Sequence, residues 1–385
     1  MQPWSLQCKR RSIDPARPRV TVIKTVGAGT MTGVAWKNYR LTGGAEGATL
    51  LTEDEFEEKV ERTWFSPKID RAAFRKLIQR SDTVALRDFG LWLALLAAAG
   101  IGGVLTWGTW WCVPFFAVYG VLYAAADHRH HELAHGTPFK TRRLNELAYQ
   151  LCAFLTLREA RYYRWSHTRH HSHTSIVGKD SEIAVPRPPD LIGIVSDLFF
   201  IKDGVSQIIR LARHARGRLT EEGEQFVPEA ERRKVVLSSR IYLGIIAAVI
   251  AACVIAQSIL PAMLVVLPRF YGAFISHFMN LALHAGLAED VWDHRLNTRT
   301  VLLNPVLRFL YSNMNYHTEH HMFPMVPYHR LPALHAMIRA QCPKPYGGLW
   351  AVYREMVPVL IRQRTDPDYC IRRSFPANGV PDAPN

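Results

Sequence analysis

Residues 89–127 contain neither lysine nor arginine, and residues 241–268 are again free of both. No other feature limits the fold as strongly, because the 47 Lys and Arg are crowded into the rest of the chain. The stretch "FGLWLALLAAAGIGGVLTW", residues 89–107, reaches roughly 28 Å as a helix rising ~1.5 Å per residue, enough to cross a hydrocarbon core. A second apolar stretch covers about residues 109–126. Trp107, Trp110 and Trp111 lie at the connection, as an interfacial aromatic belt would. Third and fourth stretches run over about 241–259 and 262–283, joined by a short uncharged turn at Leu260 and Pro261.

Of all the basic residues only Arg269 falls inside a span, so the others lie on the side that carries both termini. That asymmetry is the positive-inside pattern. The expected fold is therefore all-α: an integral membrane bundle of four transmembrane helices in two hairpins, with a cytoplasmic helical cap. The expected location is a bacterial inner membrane with both termini cytoplasmic. A soluble protein with buried core helices is the weaker reading, since it leaves two uncharged hairpins unexplained. The net charge of +14 fits anionic lipid beside the spans. No basic strip interleaved with aromatics is present, so nucleic acid is not an expected partner.

The domain plan follows. Residues 1–30 are basic and lack the apolar core of a signal peptide; they read as a loose tail or a misassigned start ahead of Met31, with a transit peptide as the weaker reading. Residues 31–85 form N-terminal cytoplasmic or interfacial helices, with a capping box at Thr52 and Glu55 and an apolar face of Phe74, Leu77 and Ile78. Residues 86–335 form the membrane domain, including a short interfacial helix over 191–201. Residues 336–385 form a cytoplasmic C-terminal segment with a disordered end. The six cysteines are scattered without a C-x-x-C pair and read as packing residues.

Seventeen histidines remain to be explained. "HHELAHG" fits H-E-x-x-H, the arrangement in which two imidazoles bind zinc and the glutamate is the base of a protease. One more ligand would complete a catalytic zinc site, so the two further clusters, "WSHTRHH" and "YHTEHH", would be surplus. A hairpin returns the chain to its starting side, so all three clusters share one membrane depth. "NLALH" adds Asn280 and His284 there. His131, His135, His167, His170, His171, His284, His317, His320 and His321 suit two metal ions with about four or five ligands each. His128, His130 and His173 read as surface or supporting residues, and His214, His277, His294, His329 and His335 as structural. Glu132 and Asp127 are placed to accept from a ligand imidazole. Asp180 and Glu319 could do the same, but the sequence gives no ground for assigning them. Arg269 is costly inside a membrane; it reads as a contact for a substrate carboxylate or a buried acid, or as a helix-end residue reaching outward.

Over roughly residues 85–335 these boxes resemble the membrane fatty acid desaturase superfamily, the histidine-box di-iron enzymes. The resemblance implies that the nine histidines hold two Fe ions and that Asn280 touches one through a water. It implies O₂ as cosubstrate, a separate electron-transfer protein of ferredoxin or cytochrome b5 type, and a lipid or lipid-like substrate. The implied activity is introduction of a C=C bond into a fatty acyl chain by C–H abstraction. The superfamily also contains hydroxylases, decarboxylases that form terminal alkenes, and a desaturase of an amino-acid-derived metabolite, and these are the alternatives. H-E-L-A-H is one residue shorter than the first box of many acyl-CoA desaturases. The third box starts with His317 where front-end desaturases have Gln. No "HPGG" haem-binding motif occurs.

Overall fold

A computed structural model describes residues 64–373. The expectations for residues 1–63, including the start at Met31 and the Thr52–Glu55 box, and for the C-terminal tail lie outside the described residues. Among the described residues the elements are helical, and strand-like pairing is limited to isolated bridges, Thr300 with Tyr316 and Val301 with Tyr346.

The first helix, α1 (Arg71–Leu77), starts at Asp70, whose side chain accepts from the Ala73 amide. It does not lie loose on a surface. Leu77 is buried with Tyr316, Phe323 and Val326, and Phe74 packs its ring 5.0 Å from that of Phe323. Helix α2 (Asp82–Leu105) begins at Ser81, whose hydroxyl caps the Val84 amide. It covers the first apolar stretch. The turn after it contains Gly108 at φ +85°, and Trp110 and Trp111 are both largely exposed. Helix α3 (Cys112–Ala124) then returns along α2. Trp92 of α2 is fully buried and donates from Nε1 to the Leu122 carbonyl at 2.8 Å. Gly100 and Gly103 of α2 leave room for Tyr119 and Phe116 of α3.

Three apolar boundaries differ from the sequence expectation. The second helix starts at Cys112 rather than 109, because the chain must first turn at Gly108. The third apolar stretch belongs to a longer helix, Glu229–Ile255, whose charged first turns precede residue 241. The fourth is not one rod: it is broken into Leu260–Val265, Pro268–Tyr271 and Ala273–His284. Pro268 lacks the N–H needed to continue the preceding turn, and Gly272 sits against α3 so closely that a Cβ there would meet the Gly120 carbonyl oxygen at 1.9 Å.

Between the two hairpins run α4 (Ala126–Ala134), α5 (Arg142–Leu155), α6 (Ala160–Ser172) and α7 (Ile201–Ala215). The expected interfacial helix over 191–201 is split: a short helix Leu191–Ser196 and a 3₁₀ turn end at Phe200, which adopts φ +53° and starts α7 in a new direction. After α8 (Glu229–Ile255) and the broken segment, labelled α9 (Leu260–Val265), α10 (Pro268–Tyr271) and α11 (Ala273–His284), come α12 (His317–Met322) and α13 (Leu349–Arg362). Helices α2 and α8 are long and apolar enough to cross a membrane, and only 28% and 17% of their most apolar windows are buried. Cys112, Cys152, Cys253 and Cys342 are free thiols, and Cys370 is buried against Ala288 and Leu296, as a packing residue would be.

Candidate metal centre

The helical repeat sets the first layer of the site. Ala125 keeps helical angles between α3 and α4, so Asp127, His131 and His135 follow at intervals of four on one face. On α6, His167, His170 and His171 occupy one face by the same rule. That helix is held at its start by the Glu159 carboxylate, which accepts from the Arg161 and Tyr162 amides at 2.9 and 2.6 Å. Asn280 and His284 are one turn apart at the end of α11, and α12 carries His317, His320 and His321.

The four helix ends bring all nine imidazoles together in two sets. Ring nitrogens of His131, His135, His167, His171 and His320 lie within 4.8 Å of one another. His170, His284 and His321 form the second group, and His317 Nε2 joins it at 2.8 Å from His284 Nε2 and 3.0 Å from His321 Nε2. In the first set the Nε2···Nε2 distances are 2.9 Å for His131–His320, 3.0 Å for His135–His167, 3.2 Å for His167–His171 and 3.2 Å for His171–His320. Two imidazoles bound at a right angle to one ion, with metal–nitrogen bonds of ~2.0–2.1 Å, would have nitrogens about 2.9 Å apart.

Hydrogen bonds behind the rings decide which nitrogen is free to ligate. His284 Nδ1 lies 2.8 Å from the Asn297 carbonyl, which only accepts, so His284 carries its proton on Nδ1 and its Nε2 presents a lone pair. Thr174 donates its hydroxyl proton to the His170 carbonyl, so its oxygen accepts from His321 Nδ1 at 3.0 Å. His167 Nδ1 meets Glu182 at 3.0 Å, and His170 Nδ1 meets Asp180 at 2.9 Å. The Nε2 lone pairs thus point at one another in a buried space; at His170 burial lowers the pKa but the Asp180 carboxylate outweighs it and raises it. Burial pushes His131, His135, His167, His171, His317 and His321 well below the ordinary imidazole pKa, with repulsion between the rings acting in the same direction. Such a donor set fits a metal cation and suits proton sharing poorly, since neutral imidazole is the ligating form.

The supporting carboxylates divide differently from the sequence expectation. Glu132 Oε1 is 3.1 Å from His320 Nδ1, and burial pushes its carboxyl up to about 8. Asp127 touches none of the nine rings. Its carboxylate receives Asn280 Nδ2 at 3.0 Å and Arg269 Nη2 at 3.3 Å, with Arg158 Nε at 3.7 Å, which corrects its assignment as an imidazole acceptor. Burial alone would raise the Asp127 pKa, but Arg269 and Arg158 hold it below the usual carboxylate value. Asn280 Oδ1 accepts from the Tyr311 hydroxyl at 3.3 Å. Arg269 is buried beside Asp127, with its guanidinium 4.2 Å from the Phe200 ring centre, so it does not reach outward. Glu319 takes the Thr300 hydroxyl and His335.

Glu182, Thr174 and the Asn297 carbonyl were not singled out by the sequence. They follow or precede their histidines at no helical interval, and only the tertiary fold brings them near. His128 and His130 pack against the rings of Tyr311 and of Tyr149 and Tyr163, so they are buried packing residues and not surface groups.

A chain whose described residues are helical and whose buried imidazoles form two converging sets has the donor equipment of a histidine-rich metalloenzyme. The family model for fatty acid desaturase matches residues 108–353, well over half of the chain. The protein belongs to the fatty acid desaturase family and is accordingly an oxidoreductase. No curated protein matches the chain at a significant level.

Proposed function

We propose that the protein is an O₂-dependent di-iron enzyme that removes hydrogen from unactivated C–H bonds. The observation that carries this reading is the pair of imidazole sets with their Nε2 lone pairs turned inward. One iron would sit among His131, His135, His167, His171 and His320, and the other among His170, His284, His317 and His321. Two irons bound there would pass electrons from the donor to O₂ and supply the oxidising power for C–H attack. The balance for desaturation is one O₂, two electrons from an external electron-transfer protein, and two protons. With the two hydrogens leaving the substrate, these give a C=C bond and two waters. Hydroxylation uses the same inputs and inserts one oxygen atom. Which one results depends on how rigidly the substrate is held.

The chain's own residues keep the site in register. Glu182, Asp180, Thr174 and the Asn297 carbonyl fix ring orientation, the part that residues behind metal ligands usually play. A ferredoxin or a cytochrome b5-type protein would be the donor. Membrane crossing by α2 and α8 is supported by their largely unburied apolar windows; the four-span arrangement with a cytoplasmic centre further requires α3 and the broken α9–α11 segment to cross. The exposed Ile201, Val205 and Ile209, one helical turn apart on α7, fit a helix lying in the interface.

An acyl chain is the substrate that the family suggests. A substrate that carries an oxyanion is favoured by one specific observation, the buried Arg269 that lines the cavity beside the imidazoles. Comparative lipid and metabolite profiling of cells expressing wild type and His320→Ala tests the reaction class. A new unsaturation or hydroxyl in the wild type alone supports it. Zinc in place of iron in the purified protein, with activity surviving in His320→Ala, would instead favour a hydrolase.

A further inference from the structure

A cavity of about 460 Å³ opens beside the imidazole sets, a volume typical of small-molecule sites. His131, His284 and His317 line it, and so do Arg158, Asp203, Arg210, Glu222 and Arg269. A long acyl chain gains by burying methylenes against apolar walls. Apolar side chains, among them Phe200, Leu211 and Leu281, share the walls with these charges, so the cavity offers surface to methylenes as well as to a polar head.

Arg269 is the one buried arginine among the described residues that line this cavity. It is 3% exposed and offers Nη2 to Asp127, yet its Nε and Nη1 have no hydrogen-bond partner among the described residues. A guanidinium presents its donors as a planar fork suited to two oxygens of one anion. Its depth is fixed by two helices. Asp127 lies one turn before His131 on α4, and Asn280 lies one turn before His284 on α11. Both side chains meet at the same carboxylate oxygen that Arg269 contacts. Four residues of helix are ~6 Å, a gap that about five extended covalent bonds would span.

We infer that this cavity is the substrate site and that it takes a molecule whose oxyanion, a carboxylate or a phosphate, docks on Arg269, so that the C–H bonds oxidised lie within a few bonds of that group. The inference rests on the oxidase reading above for the reaction, but the binding step uses only residues of this chain. O₂ and the external donor supply the electrons as already balanced.

The test is equilibrium dialysis of the full-length purified protein against radiolabelled hexanoate and hexyl phosphate, with iron counted on each preparation. Wild type should bind at least one probe, and the stronger of the two identifies the oxyanion. Arg269→Gln should weaken that binding by at least about 30-fold, as expected for truncating one partner of a buried charged pair. If Arg269→Gln fails to fold, Arg269→Lys carries the comparison, since it keeps a charge opposite Asp127 while losing the fork; its affinity should fall about tenfold. Failure of both probes to bind, or equal binding to the folded variant, overturns the inference. An iron-free preparation would count against the di-iron reading only, because the probes report on Arg269 whether or not iron is bound.

Discussion

His131 and His320 are separated by 189 positions in the chain, yet their Nε2 atoms lie 2.9 Å apart. The contact joins the first and third histidine boxes and closes one imidazole set across two elements that share no local sequence. His320→Ala removes a nitrogen from that set alone. Iron should fall from about two per chain toward one while the protein stays folded, since His320 is one of five candidate ligands. Metal analysis of the purified variant checks it, and full iron content would refute the assignment of His320.

Glu182→Gln probes the support behind a ring. Its carboxylate faces His167 Nδ1 at 3.0 Å and also takes the Ser166 hydroxyl at 2.6 Å. The amide keeps the shape but loses the charge. Iron affinity should fall by roughly 10–100-fold, the usual cost of losing a partner behind a metal ligand. Competition with a chelator measures it. Thr220→Ala, on the short helix start that caps Gly223, provides a comparison that should leave affinity unchanged.

The residues behind the rings mark the limit of what could be read in advance. The nine imidazoles were legible because helical spacing and cluster identity are local properties of the chain. Glu182, Thr174 and the Asn297 carbonyl were not, since no repeat links them to their rings. Hydropathy likewise located the apolar stretches but averaged over the break at Pro268 and Gly272. It also started the third stretch at residue 241, because the charged turns from Glu229 look unlike a span even though they continue the same helix. The pairing of Arg269 with Asp127 needed α4 and α10 to meet in space.

Gly272→Ala should disrupt the protein far from the metal centre. The added methyl would lie 1.9 Å from the Gly120 carbonyl oxygen, and backbone atoms cannot swing aside as a side chain can. Overpacking of this kind costs about 1–3 kcal/mol or more. A lower unfolding midpoint and loss of the monodisperse peak in gel filtration are expected. Gly244→Ala, where a Cβ meets nothing within 4 Å, should change neither.

Acid should destabilise the fold through histidines outside the nine. Burial pushes His128, His214 and His294 down to about 3 in the folded protein, against about 6.5 when unfolded. Between those values the unfolded chain binds more protons, so stability rises with pH across the window and is lost as pH falls from about 6.5 toward 3. Thermal unfolding followed from pH 7 to 4 should show a falling midpoint. His214→Gln should flatten the slope, and an unchanged slope would remove His214 from the account.

The touching backbones of Gly120 and Gly272 have a further consequence. Arg269 stands three residues before that crossing, on the short α10, so the height of its guanidinium is fixed by main chain against main chain rather than by adjustable side chains. Under the proposed binding mode, the crossing acts as the end-stop of a ruler. Two residues with no side chain determine which carbon of a bound molecule comes level with the imidazoles.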